Sequence, residues 1–117
     1  MAEGIVSGPD GGERFDRGNR VVTLKGDLPQ VSLNTIEFDS TFEVPPHQHD
    51  DHVDSFYVVE GEVVVTLGER TVRAGPGSFV AVPPGVLHGF RTEGPGRAKI
   101  VNVHAPDAGF ADWVRSQ

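Results

Sequence analysis

Fifteen glycines and nine prolines cut the 117-residue chain into short runs, and no long helical pattern survives between them. Segments so punctuated favour strands joined by turns. Extended apolar runs fall at residues 20–25, 31–38, 54–67, 71–74, 78–82, 86–92 and 97–104, while 41–44 leads into a Pro45-Pro46 corner. Residues 56–59 and 63–65 have no polar face, which predicts strands sandwiched between layers. Glu60-Gly61 and Gly68-Glu69 each sit where a two-residue hairpin turn belongs, glycine supplying the positive φ. About eight short strands at this spacing predict an all-β sandwich or barrel. The last segment differs: Asp107 is placed to cap a short helix over 108–115, with Phe110, Trp113 and Val114 on the side that packs against the barrel's outside or its mouth.

This length makes one domain, assigned to residues 19–117. Residues 1–18 are rich in glycine and charge, with Ile5, Val6 and Phe15 as apolar anchors, and read as an arm that is flexible unless a partner subunit orders it. A formal net charge of −7 argues against a nucleic-acid or anionic-membrane partner. The absence of cysteine excludes disulfides, thiolate metal sites and cysteine nucleophiles. No basic region followed by an apolar run opens the chain and no stretch approaches a membrane span, so a soluble, cytoplasmic protein is expected.

The chemistry concentrates between Pro45 and Gly61. Three of the five histidines, His47, His49 and His52, fall within six residues there, and Asp54 follows. A spacing of two puts His47 and His49 on one face of a strand. Two adjacent imidazoles with a carboxylate from the next strand form half of a divalent-metal site, and His88 is the candidate to complete it.

The pattern His47-x-His49-x4-Asp54-x6-Gly61, fifteen residues, then Gly77-x5-Pro83-x-Gly85-x2-His88 resembles the two motifs of the cupin superfamily, in its small single-domain form. The resemblance implies a double-stranded β-helix, or jelly roll, with a metal inside one end of the barrel, held by His47, His49, Asp54 and His88. Asp54 stands where the family usually has glutamate, Thr41 where a glycine opens the first motif, and Thr92 where an asparagine closes the second. Aspartate is one methylene shorter, so two arrangements follow: Asp54 as a direct ligand, or Asp54 bonding a ligand histidine or a metal-bound water. Converging imidazoles leave several nitrogens needing partners in one cavity, and a cation supplies them together. Nitrogen and oxygen donors without sulfur suit Fe, Mn, Ni, Co, Cu or Zn.

His52 reads either as a histidine of a solvated surface turn beside Asp50 and Asp51, or as a rim acid/base or substitute ligand. His104, at the end of the last strand, reads as a rim histidine making a hydrogen bond. Phe56, Val58, Phe90 and Ile100 share the inward alternation and, with His104, would line an apolar substrate pocket; plain core packing is the other reading of the four apolar residues. The resemblance points to a dioxygenase-like oxidoreductase acting on a small organic molecule, with Asp54 as the catalytic group taking a substrate proton. A non-oxidative isomerase, cyclase or decarboxylase, or a binding module without turnover, are the other classes. A homodimer, through the arm or a sheet edge, is expected on the same grounds.

Overall fold

The computed structural model describes residues 3–117. Ten strands precede one short helix: β1 (Glu13–Asp16), β2 (Arg20–Leu28), β3 (Val31–Phe38), β4 (Glu43–His47), β5 (Val53–Glu60), β6 (Val63–Leu67), β7 (Arg70–Ala74), β8 (Phe79–Val82), β9 (His88–Thr92), β10 (Ala98–Ala105) and α1 (Phe110–Arg115). They form a six-stranded antiparallel sheet, β1-β2-β3-β10-β5-β8, facing a four-stranded one, β4-β9-β6-β7. This is the expected all-β jelly roll with its short C-terminal helix. No helix among the described residues is long and apolar enough to cross a membrane.

Side-chain alternation decides which face of each strand enters the barrel. On β10 every second residue from Ala98 to His104 is buried, and β3 alternates in the same way through Ser32, Asn34, Ile36 and Phe38. The fully buried Phe38, Val58, Val63, Val65 and Ile100 meet between the sheets. Phe38 and Phe90 stack with centroids 5.4 Å apart, and Phe56 and Phe90 at 5.6 Å. Each such buried side chain contributes about 1.5–3 kcal/mol of transfer free energy.

Four expectations are corrected. Glu60-Gly61 is not a hairpin turn, because β5 and β6 lie in different sheets. The chain instead crosses between layers there, passing so close to β10 that a Cβ on Gly61 (φ 78°) would lie 2.1 Å from the Arg97 carbonyl oxygen. The other turn is the hairpin expected: Leu67 pairs with Arg70, and Gly68 takes φ 63° at the first central position. Second, β5 has one open face, since Tyr57 is 48% and Val59 39% exposed, whereas Val63, Val64 and Val65 of β6 are all buried. An outer strand face in the six-stranded sheet meets solvent rather than a second layer.

Third, the stretch read as an arm contains β1. Phe15 pairs with Val22 and packs against the core, and Arg115 of α1 holds Glu13 at 3.0 Å. Residues 1–2 of that stretch lie outside the described residues. Fourth, α1 begins at Phe110, and Asp107 accepts a hydrogen bond from the Gly109 N–H at 3.1 Å in the preceding turn instead of capping the helix. Val114 is buried in the core and Phe110 packs on it, but Trp113 faces solvent.

Candidate metal centre

The barrel end opposite the phenylalanines is built by a bulge. Val44 pairs with Phe90 and His47 with His88, so Pro45 and Pro46 together oppose Gly89 alone. Unbroken alternation from Phe42, which packs on the core aromatics just before β4, through Val44, which pairs with Phe90, would carry Pro46 inward and His47 outward. The extra residue reverses this and aims His47 inward. Proline suits the bulge because its missing N–H removes a ladder donor. Gly89 is required opposite, since a Cβ there would lie 2.5 Å from the Val44 carbonyl oxygen. β4 ends at His47, so His49 reaches the same point from a loop rather than by strand spacing.

His47, His49, Asp54 and His88 each offer one ligand atom, and these atoms lie within 4.8 Å of one another. His47 and His88 come from adjacent strands of the four-stranded sheet, while Asp54 enters from β5 in the facing sheet. The His47 Nδ1–H donates to the Pro45 carbonyl at 2.9 Å, and the His88 Nδ1–H to the Val86 carbonyl at 2.9 Å. Both bonds leave Nε2 as the lone-pair nitrogen pointing inward.

Two close contacts follow from this tautomer. His47 Nε2 lies 3.1 Å from His49 Nε2, and His88 Nε2 lies 3.1 Å from Asp54 Oδ2. With His88 neutral, its Nε2 and Asp54 Oδ2 are both acceptors, and a proton or a cation must lie between them; in the His47–His49 contact the same holds when His49 carries its hydrogen on Nδ1, whereas an Nε2–H tautomer of His49 donates to His47. Donors about 2.1 Å from an ion, at tetrahedral to octahedral angles, stand about 3.0–3.4 Å apart, so the donor set fits one divalent ion. Asp54 Oδ2 is also 3.7 Å from His49 Nε2, so the shorter aspartate reaches the cluster.

Burial pushes the Asp54 carboxyl up, but hydrogen bonds from His104, His88 and Asn102 outweigh it and hold the group far below the usual carboxylate range. Burial pulls His88 down, yet its bonds to Asp54 and to the Val86 carbonyl raise it. Burial first, and then the neighbouring His52 and His47, lower His49 and keep it neutral. The ionised carboxylate and the neutral His49 are ready donors, whereas His88 gives up the proton that its bond to Asp54 favours when a metal is taken up.

His52 is not on a solvated turn: it is 5% exposed, because its ring tucks under His49 with centroids 4.3 Å apart. Its Nδ1 pairs with Asp51 Oδ1 at 2.8 Å. His104 is buried as well, with Nε2 3.2 Å from Asp54 Oδ1 and its ring edge-on to Phe110. All five histidines of the chain therefore gather at one end of the barrel. Asn102, which sequence reasoning missed, donates to Asp54 Oδ1 at 2.8 Å and to the Ser55 carbonyl at 2.9 Å, and accepts from Asn34 at 3.2 Å. Its signal was the inward alternation that also carries Ile100 and His104. Phe56, Val58 and Ile100 belong to the packed core with Phe90 against them, the core-packing reading of these residues, while His104 bonds Asp54 in the histidine cluster.

A model of the family described as "Cupin domain" matches residues 35–104, which include every residue of this cluster. The quercetin 2,3-dioxygenase of Bacillus subtilis is 30% identical over 60 residues, 51% of this chain and 18% of that protein. An uncharacterized protein of Streptomyces coelicolor is 35% identical over 60 residues, 51% of this chain and 54% of its own length. The chain thus spans no more than about half the length of the curated relatives it matches. Among solved structures, an RmlC-like cupin from Shewanella frigidimarina superposes with a TM-score of 0.82 at 25% identity, covering 93% of this chain and 96% of that one.

Proposed function

The chain belongs to the cupin domain family, and from that premise we propose that it is a metal-dependent oxidoreductase of dioxygenase-like type, acting on a small, largely apolar organic substrate. The observation that carries this reading is the meeting of His47, His49, Asp54 and His88 at one point, with His47 Nε2–His49 Nε2 and His88 Nε2–Asp54 Oδ2 both at 3.1 Å, a donor set suited to one divalent transition metal. The partial match to quercetin 2,3-dioxygenase supports the choice of oxidative chemistry. Such an ion, when bound, supplies Lewis acidity, open positions for substrate oxygen and, if redox-active, electrons.

The residues themselves supply orientation and charge. The carbonyls of Pro45 and Val86 hold two imidazoles in the ligating tautomer. Asn102 and His104 hold the second oxygen of Asp54 and keep the carboxylate ionised. A carboxyl stabilised so far below neutrality is a good ligand and a weak base, so the proton-accepting role first assigned to Asp54 does not suit it. The core aromatics close the barrel beneath the site and exclude water from that side.

Metal analysis of protein purified without added metal, followed by oxygen-uptake assays with flavonols and β-diketones, tests the reading. Iron, manganese, nickel or copper at the site with oxygen consumption supports it. Zinc with no uptake points to a non-oxidative Lewis-acid enzyme, and no bound metal overturns both.

A further inference from the structure

Asp54 faces two ways. Its Oδ2 serves His88 and His49, while Oδ1 lies 3.2 Å from His104 Nε2 on the other side. There, ligand atoms of His52, Asp54 and His104 lie within 4.8 Å of one another, as close as those of the first group. His52 is tied to Asp51 through Nδ1, and its Nε2 is buried without a protein partner. A carboxylate on one nitrogen and a bare lone pair on the other is the arrangement of a metal-ligating histidine. His104 also carries a buried, unpartnered atom, Nδ1. A buried polar atom without a partner has lost its hydration uncompensated, so leaving His52 Nε2 bare is a standing penalty that a ligand at this point would remove.

We propose a second divalent-metal site formed by His52, His104 and Asp54, with the Asp54 carboxylate bridging it to the first ion. This rests on the mononuclear reading above, because the shared carboxylate must already be ionised and oriented. The second donor set has two imidazoles and one shared oxygen against three imidazoles and an oxygen, and it meets the charge of the first ion. The second ion therefore binds more weakly.

The test titrates Co(II) alone into the metal-stripped full chain, with bound metal counted after rapid desalting and by calorimetry. Two ions per chain are expected, the second at least tenfold weaker. His52→Gln should reduce the count to one while leaving the first step in place, and His104→Gln should remove the second step while weakening the first through the Asp54 oxygen it holds. With Mn(II), the second equivalent should replace the isolated-ion electron paramagnetic resonance signal by an exchange-coupled one. Wild-type saturation at one ion overturns the second site and leaves the first standing, whereas no binding at all removes both. A second step unchanged in both variants, with each variant's fold confirmed by its melting transition, also overturns the assignment.

Discussion

Along its inward face β10 reads Ala98, Ile100, Asn102, His104, and this one strand joins two ends of the barrel that are stabilised differently. At the Ala98 end, Phe38, Phe56, Val58 and Phe90 interlock with no polar atom among their side chains. At the His104 end, nearly every side chain is polar, and each depends on a neighbour: Asn102 on Asp54, Asp54 on His88, His47 on His49. Asn34 and Asn102, bonded to each other at 3.2 Å, mark the boundary. Apolar packing needs only shape and volume, so the first end is complete as it stands. The second end gathers five imidazoles and a carboxylate, the donor set that a cation would join. Stability and chemistry are thus assigned to opposite ends of one cavity.

The comparison breaks if damage at one end is felt at the other. Phe38→Ala removes a fully buried ring and should lower stability by about 3–5 kcal/mol, while the metal-binding stoichiometry per folded chain stays at the wild-type value. Chemical denaturation and metal analysis on the same sample check both halves. A loss of bound metal without loss of fold would show the ends to be coupled.

His49→Ala should do the opposite. Affinity for the first ion should fall at least a hundredfold by calorimetry, with the metal-free melting temperature within a few degrees of wild type, since the His49 side chain is about a third exposed. Asn102→Ala tests the boundary itself. It should weaken metal binding by roughly 10–100-fold through the freed Asp54 oxygen, and it should lower stability by about 1–3 kcal/mol. A change in only one of these would move Asn102 to one side of the divide.

The smallest effect is on pH. His49 is lowered when folded, so the unfolded chain binds more protons and metal-free stability rises with pH up to about 6.5. His88 is raised when folded, so its contribution is fully present below about 6.5 and is lost as pH rises through the folded value. The metal-free melting temperature should therefore peak near pH ~6.5, and Asp54→Asn should flatten the alkaline limb. A monotonic profile in the wild type would show that the two histidines are not held as described.

Glycine and proline punctuation, strand alternation and the spacing of His47, His49, Asp54 and His88 were local facts, so the sequence alone determined an all-β barrel and the candidate donor set. It also placed the Gly68 hairpin, whose conformation depends only on neighbouring residues. Contacts between distant segments were decided by the tertiary structure. Gly61 became a crossing between sheets because Arg97 lies against it, β1 left the arm to pair with β2, and His52 turned inward under His49. Asn102 joined the site because β10 pairs with β5 in the register that sets His104 opposite Asp54. A spacing rule reports which side chains share a face. Which atoms then meet across the barrel depends on sheet pairing, and that is settled only when the two sheets close on each other.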